Sequence, residues 1–417
     1  MHSDKTIKGI FRKNRALITC ILSLEFISVH AQILYFTKDQ LMAMDEAVLI
    51  QKNSVQPYVK ELQKFADLYI KSGPWSVTYH PGKAVSGDPH DYFSESPYWW
   101  PDPDAPEAPY IRRDGLRNPD RFTDHKESLA EMTIAVSILS LAGHYLQKPG
   151  YSAKAAEILR VWFIDESTRM NPHLEYAQAI PNRSAGRSVG IIDTHIWTKW
   201  FDALYLLSIS GHWPDHEQDK FRRWFTDYLV WMLNSEKGIE EKMRSNNHAT
   251  WWTAQTAAMS SFTGRTDLLP ALEVHTKNFL IRNQIEGSGR CPEEEARTRS
   301  YDYVLFNLEA FGFLCRFFEG HNSYLWEWQN DRGGSIKKAL DYMMPYIEHP
   351  QLWKGEQVTK INKRELAILV FAGMRYPDAG YLNMYKKQMT DRAPGSFESR
   401  YDPFLLWLNL LVAAQMN

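Results

Sequence analysis

Apolar residues recur along most of the chain at intervals of three and four, the spacing that places them on one face of an α-helix. One such series runs from Leu129 to Ala142 and another from Ile196 to Leu207. The same pattern covers further segments at 37–70, 152–167, 215–236, 248–262, 267–286, 301–319, 334–347, 363–373, 378–388 and 402–415. Alternation of apolar and polar residues, which is typical of strands, is nearly absent. The sequence therefore predicts an all-α protein.

Glycine and proline separate the predicted helices at intervals that favour repeated antiparallel helix hairpins. No internal sequence repeat accompanies this spacing, so the repetition is architectural. The 417 residues exceed the usual size of one compact core, but a helical toroid can spread a single domain over that length. We therefore predict an α/α toroid, as an incomplete or complete α/α barrel, built as one domain from residue 32 to residue 417.

Two long stretches lack the helical pattern, one from Ser72 to Phe122 and one from Gln178 to Gly190. Loops of this length within a compact domain are usually functional or disordered, and their content of Trp and Tyr argues against disorder. Trp99 and Trp100 lie next to a proline, so they either bind sugar rings or simply pin the loop. We expect both stretches to cover a cleft.

The first 31 residues read as a secretory signal peptide. A basic segment from Lys5 to Arg15 precedes an apolar segment from Ala16 to Val29, and small residues end at Ala31, which suggests cleavage nearby. Glu25 is unusual in such an apolar segment, and Cys20 is poorly placed for a lipid anchor. No other segment approaches the roughly 20 apolar residues of a membrane span. We expect a secreted or periplasmic protein.

Charge and cysteine content narrow the function classes further. Removal of residues 1–31 takes away five Lys/Arg and two Asp/Glu, which changes the formal net charge from −2 to −5. An acidic protein must gather positive charge locally to bind a polyanion, and nothing indicates nucleic-acid binding. Cys291 and Cys315 would remain, which permits one disulfide but no disulfide scaffold. No zinc-binding motif occurs, and we expect neither a metal ion nor a cofactor.

The segment Asn246-Asn247-His248 is the first cluster with chemical potential. It opens a predicted helix that continues with Trp251 and Trp252. A structural explanation exists for each residue: Asn247 could be an N-cap, His248 a first-turn residue, and the two Trp residues part of the core. The functional alternative is that the amides and the imidazole bind and act on a substrate.

The second cluster places Arg297, Arg299, Tyr301 and Tyr303 within two helical turns. Each Arg stands four residues before a Tyr, so a solvated helix face with stacked pairs is the structural explanation. The preceding segment 292–295, a proline and three acids, is typical of a helix start. In one helix over 296–308, Arg299 would share a face with Tyr303, and Arg297 with Tyr301.

Taken together, these motifs resemble the alginate lyase superfamily, and within it polysaccharide lyase family 38 more than family 5. The resemblance covers roughly residues 85–375. It rests on four segments: Asn246-Asn247-His248 followed by a Trp, the run from Arg297 to Leu308 with Phe306-Asn307-Leu308 at its end, Tyr98-Trp99-Trp100-Pro101-Asp102-Pro103, and Ala179-Ile180-Pro181.

The resemblance implies an α/α toroid and a metal-independent β-elimination on 1,4-linked uronates such as alginate, and glucuronan as a further candidate. The family's neutralising residues map onto Asn247 and His248, and its catalytic tyrosine onto Tyr303. Tyr301 stands where relatives often carry an apolar residue, so it competes for the last assignment. We expect Arg299 to assist Tyr303 and Arg297 and Arg299 to lower its pKa. Further substrate-binding residues are expected to be Asn246, Arg297, Tyr301, Tyr98, Trp99, Trp100, Arg183, Arg187 and His195.

Two other function classes stay open on the sequence alone. A glycoside hydrolase would need two carboxylates that flank the scissile bond, for which the candidates are Glu294, Glu295, Asp193 and Asp302. A non-catalytic glycan-binding protein would also explain helices and Trp residues. The expected partner in each case is an anionic polysaccharide, bound by a monomer.

Overall fold

A computed structural model describes residues 32–105, 107–361, 365–391 and 402–416, so the predicted signal peptide lies outside the described residues. Helices dominate, as predicted. They are α1 (Lys38–Leu49), α2 (Gln56–Tyr69), α3 (Asp124–Tyr145), α4 (Pro149–Phe163), α5 (Phe201–Ser208), α6 (Asp215–Asn234), α7 (Glu236–Lys242), α8 (Asn247–Thr263), α9 (Leu269–His275), α10 (Arg282–Gln284), α11 (Pro292–Glu295), α12 (Ser300–Glu319), α13 (Ile336–Glu348), α14 (Ala367–Arg375), α15 (Tyr381–Asp391) and α16 (Pro403–Gln415).

Five of these helices bury residues on nearly every side, which is expected of an inner layer. They are α3, α8, α12, α14 and α16. In this layer α8 packs against α12, α12 against α14, α14 against α16, and α16 against α3. Helix α5 and a 3₁₀ helix at Ser188–Lys199 connect α3 to α8 and close the ring. Amphipathic helices pack outside it, such as α4 on α3, α6 on α8 and α15 on α14. This is the predicted α/α toroid.

The prediction of one α-helix from Ile196 to Leu207 was partly wrong. Residues Ser188–Lys199 form the 3₁₀ helix, and α5 begins only at Phe201. The hydroxyl of Thr194 donates to the carbonyl of Ile191 at 3.0 Å, and Nδ1 of His195 donates to the carbonyl of Ile192 at 2.7 Å. These side chains occupy carbonyl oxygens that an α-helix would use, and they favour the tighter turn.

Short strands cross the two stretches predicted to lack helices. Strand β1 (Phe93–Glu95) pairs in parallel with β4 (Tyr176–Ala179), and β2 (Trp99–Trp100) pairs antiparallel with β3 (Ile111–Arg112). The pairing of β1 with β4 brings the first stretch against the second, and the backbone N–H of Ser96 donates to the carbonyl of Ala179 at 2.9 Å.

Several smaller expectations can be settled from the packing. Trp251 and Trp252 are each 1% exposed, so they belong to the core, which was the structural explanation given for them. Cys291 and Cys315 are both buried and free, so the permitted disulfide is absent. Among the described residues, no helix is both long and apolar enough to span a membrane.

Candidate active site

A cavity of about 1000 Å³ opens where the starts of α8 and α12 face the two non-helical stretches. Its wall includes Tyr98 and Trp99 from the first stretch and Arg187 from the second. Arg187 joins the two, because its Nη2 donates to Ser96 Oγ at 2.6 Å and its Nε to the carbonyl of Gln178 at 3.1 Å. The expectation that these stretches cover a cleft is therefore met by the geometry.

The start of α8 supplies three neighbouring side chains to the cavity wall. Asn246, rather than Asn247, is the N-cap, and its side chain accepts from the backbone N–H of His248 at 3.3 Å. The cap leaves the side chains of Asn247 and His248 available for other contacts. Both also lie at the positive end of the helix, where a negative charge is stabilised.

His248 is held by a carboxylate that the sequence did not single out. Its Nδ1 lies 2.6 Å from Oε1 of Glu241, a residue of α7 that is 0% exposed. An ionised carboxylate can only accept, so we assign the proton to Nδ1. The neutral ring then keeps Nε2 unprotonated, the tautomer of a general base.

Asn247 is also held by a buried carboxylate. The residue is 0% exposed, and its Nδ2 lies 2.9 Å from both carboxylate oxygens of Glu294, on α11. Its backbone N–H donates to Oε1 of the same Glu294 at 2.5 Å. The Oδ1 atom of Asn247 is buried and finds no hydrogen-bond partner among the residues that the structure describes.

The predicted single helix over 296–308 is wrong, because α12 begins at Ser300. The backbone before it pairs with another segment: Ser300 N–H donates to the carbonyl of Glu356 at 2.9 Å, and Val358 N–H to that of Thr298 at 2.8 Å. Arg297 and Arg299 therefore precede the helix, and the predicted pairing of faces does not apply.

Arg297 lies against Tyr303, not against Tyr301. Its guanidinium carbon is 3.9 Å from the centre of the Tyr303 ring. Its Nε and Nη2 donate to Asp114 at 3.1 and 2.9 Å. Arg299 also lines the cavity, and its Nη2 donates to Asp302 at 2.6 Å, within the first turn of α12.

Asp114 anchors this arrangement and was not among the predicted site residues. Burial alone would raise the pKa of its carboxyl, but hydrogen bonds from Arg297 and Arg112 lower that pKa well below its usual range. The next residue, Gly115, has φ +77°, and a Cβ there would lie 2.5 Å from Oγ1 of Thr298. Glycine thus allows the loop to approach Thr298, the residue after Arg297, this closely.

Tyr303 is a protonated phenol in this arrangement. Its hydroxyl lies 2.7 Å from the hydroxyl of Tyr98. Burial raises the pKa of Tyr303 and the neighbouring Tyr98 raises it further, while the Arg297 cation opposes both without outweighing them. Arg297 lowers this pKa, as expected, but burial outweighs it, so the phenolate is not favoured.

Three predicted substrate-binding residues lie outside the cavity wall. Tyr301 is 4% exposed, and its ring packs edge-on against Trp353. Trp100 donates its indole N–H to the carbonyl of Leu116 at 3.0 Å and pins the loop. Arg183 is exposed and stacks on Trp99 instead, 4.8 Å from the ring centre.

Positive charge nevertheless collects on the cavity wall of this acidic protein. Burial, and then the cations of Arg244 and Arg112, lower the pKa of Arg187 to about 10. Each of these three arginines lines the cavity. Like charges are brought together here at a cost, which a bound polyanion would offset.

His195 lines the cavity as a neutral imidazole. Burial, and then the Lys199 cation, lower the pKa of His195 to about 3. Its ring lies edge-on to Trp251 and Phe306, with centres 4.9 and 5.2 Å apart. The residue therefore offers a polar but uncharged surface.

The four carboxylates considered for a hydrolase are all engaged by other groups. The pairs are Asp193 with Lys126, Glu294 with Asn247, Glu295 with Arg290, and Asp302 with Arg299. A hydrolase needs one carboxyl to act as acid and one as base or nucleophile. These contacts do not favour that chemistry.

Known proteins resemble this chain in sequence and in fold. The sequence model of the alginate lyase family matches residues 76–353. An alginate lyase from Bacteroides ovatus is 35% identical, with a TM-score of 0.82, over 86% of this chain and 95% of that chain. Alginate lyase A1-III from a Sphingomonas species is 15% identical, with a TM-score of 0.47, over 79% and 91% of the two chains. A comparison with curated protein sequences finds no match.

Proposed function

The chain belongs to the alginate lyase family, and from this premise we propose that it cleaves 1,4-linked uronate polymers by β-elimination. Alginate is the first candidate substrate and glucuronan the second. The reaction needs no metal ion and leaves 4,5-unsaturated uronate ends. Assignment to polysaccharide lyase family 38 stays a prediction.

One observation carries the proposal: a fixed cation and two proton-transfer groups converge in the same cavity. Arg297 is clamped by Asp114 and stacked on Tyr303, while His248 and Asn247 lie in the facing turn of α8. The C5 proton of a uronate is far too weakly acidic while the adjacent carboxylate keeps its full charge. Arg297 and the N-terminus of α8 can disperse that charge as the enolate-like state develops.

Arg297 is therefore the cation proposed to neutralise the substrate carboxylate, because it lies against Tyr303, whereas Arg299, which we expected to assist Tyr303, contacts Asp302. The clamp by Asp114 fixes the guanidinium before the substrate arrives, so little reorganisation accompanies the reaction. Arg187, Arg244 and Arg112 would bind carboxylates of neighbouring sugar units.

Proton transfer follows from the states of His248 and Tyr303. Tyr303 is protonated at rest and can donate to the leaving oxygen O4. His248, with Nε2 unprotonated, is the base where the C5 proton and O4 lie on opposite faces, as in guluronate. In mannuronate they lie on one face, so Tyr303 would perform both transfers. The resting proton of Tyr303 must then first pass to solvent water, and the hydroxyl of Tyr98 at 2.7 Å is placed to relay it.

The remaining expectations about the protein's biology are proposals as well. We propose export to the periplasm or the medium by a signal peptide over residues 1–31, and one catalytic domain over 32–417. We further propose that the enzyme acts as a monomer on an anionic polysaccharide.

The test is to incubate the purified protein with mannuronan, guluronan and glucuronan and to follow ultraviolet absorbance from unsaturated uronate. We expect absorbance to rise on at least one polymer, and His248→Ala to lower the rate on guluronan by about a hundredfold or more. A rise in reducing ends without absorbance would indicate a hydrolase. Binding without any cleavage would indicate a glycan-binding protein.

A further inference from the structure

The contact between Asn247 and Glu294, with Oδ1 as the free end of the amide, conflicts with binding of a substrate carboxylate. A proton on Glu294 would remove the conflict. Both Nδ2 contacts of Asn247 go to Glu294, so the carbonyl oxygen Oδ1 is the free end of the amide. That oxygen is buried, and no group in the described part of the chain is its hydrogen-bond partner. Asn247 lies in the cavity wall, where the proposed substrate carries a carboxylate. A carbonyl oxygen would repel that carboxylate instead of stabilising it.

The two ends of an Asn amide are nearly indistinguishable by shape, and their assignment depends on the hydrogen-bond network. If the amide is turned over, Oδ1 faces Glu294 and the NH2 group becomes the free end. Glu294 must then supply a hydrogen, which only the protonated carboxyl can do. Its other oxygen still accepts from the backbone N–H of Asn247, at 2.5 Å in the present geometry.

The surroundings of Glu294 favour the protonated acid. The residue is 1% exposed, and burial raises the pKa of its carboxyl. The charged or titratable groups that face it are Arg297, His248 and the thiol of Cys291. Asp114, which accepts two hydrogen bonds from Arg297, offsets part of the lowering effect of the Arg297 cation on this pKa. A substrate carboxylate arriving nearby would oppose ionisation of Glu294 further.

We infer that Glu294 is a positioning residue: it is protonated, donates its hydrogen to Oδ1 of Asn247, and thereby turns the Asn247 NH2 group toward the substrate carboxylate. This inference rests on the proposed function and assigns Glu294 a part in that site. Asn247 then becomes a hydrogen-bond donor to the charge that develops in the transition state.

Two variants of the same length test this assignment. In Glu294→Gln the amide oxygen can accept from the Asn247 backbone and the NH2 group can donate to Oδ1, so Gln reproduces the protonated acid. Glu294→Met can do neither. We expect Glu294→Gln to keep kcat within about tenfold of the wild type and Glu294→Met to lose about a hundredfold or more in kcat. Thermal unfolding of both variants checks that they fold.

A loss of more than about tenfold in a folded Glu294→Gln would overturn the inference, because an ionised Glu294 would then be the active form. If the variants do not fold, neutron diffraction from deuterated wild-type crystals decides directly. We expect deuterium between Glu294 and Oδ1 of Asn247, and an ND2 group on the cavity side. A carboxylate without deuterium would overturn the inference. The neutron result needs no turnover, so it stands even if the wild type forms no unsaturated product and the proposed function fails.

Discussion

Replacement of Tyr303 by Phe removes one oxygen atom and leaves most of the site in place. The lost contact is the hydrogen bond to the hydroxyl of Tyr98 at 2.7 Å. The ring remains, so Arg297 keeps its stacking surface at 3.9 Å and its two bonds to Asp114. The variant therefore isolates the phenolic proton from the binding of the substrate carboxylate.

The size of the effect follows from what that proton does. A positioned general acid or base typically contributes a factor of about 10² to 10⁴ in rate, which is about 3 to 5 kcal/mol in the barrier. Loss of one buried hydrogen bond costs only about 1 kcal/mol of folding stability. We expect kcat for Tyr303→Phe to fall at least about a hundredfold, with KM and the melting temperature changed little.

The matched control is Tyr301→Phe, the same chemical change two positions earlier. Tyr301 is 4% exposed and lies outside the cavity wall, with its hydroxyl 3.4 Å from the carbonyl of Tyr346. We expect near-normal kcat in this variant, measured by absorbance of unsaturated products on mannuronan and guluronan. Near-normal turnover in folded Tyr303→Phe, or a hundredfold loss in Tyr301→Phe, would refute the assignment of the catalytic phenol.

Three further predictions concern Glu241, the need for metal ions and His195. Glu241→Gln removes the charge that supports His248, so we expect kcat on guluronan to fall about tenfold or more while mannuronan is affected less; equal losses on both polymers would contradict a base role for His248. Activity should survive exhaustive chelation with EDTA, because Arg297 and the start of α8 supply the positive charge; loss on EDTA treatment with recovery on added calcium would refute this. The pKa of His195 is lowered to about 3 in the folded protein. Between about pH 6.5 and pH 3, the imidazole is therefore protonated in the unfolded state but not in the folded state. The free energy of unfolding should accordingly decline less steeply with acid in His195→Gln than in the wild type, and identical slopes in urea titrations would speak against it.

The helices were predictable because their signal is local. Apolar residues at intervals of three and four mark α3, α8 and α12 in the sequence, and the structure has each within a few residues of the predicted bounds. The two errors arose where other groups compete for the backbone hydrogen bonds of the helix, local side chains in one case and a distant segment in the other. Thr194 and His195 tighten the Ser188–Lys199 segment, and the strand-like pairing of residues 298–300 with 356–358 delays the start of α12.

In the candidate site, too, residues within short sequence motifs were predictable, and the residues that contact them from elsewhere were not. Asn247, His248 and Tyr303 could be named because each lies in a short motif. Glu241 and Asp114 were not predicted, and Glu294 was considered only as a hydrolase carboxylate, because nothing in the sequence shows that these residues hold His248, Arg297 and Asn247. Asp114 contacts Arg297 across 183 positions of sequence, and Glu294 contacts Asn247 across 47.

Burial was equally invisible in the sequence, and it decided two assignments. Tyr301 and Tyr303 are the same residue type two positions apart, yet one lies in the core and the other at the cavity. Burial also raises the pKa of Tyr303, which reverses the effect expected from its arginine neighbours. Such reversals require the packed structure, because desolvation depends on every element around the group.

The central claim is that this cavity cleaves uronate polymers by elimination, and digestion in water labelled with heavy oxygen tests it most directly. Elimination breaks the bond between C4 and O4 without adding water, so mass spectrometry of oligomers cut by the wild type should show unsaturated ends. No label should enter the new chain ends beyond the exchange at C1 that unlabelled oligomers of the same length show in the same water. Incorporation of one labelled oxygen per cleavage, with saturated ends, would show hydrolysis and contradict the account.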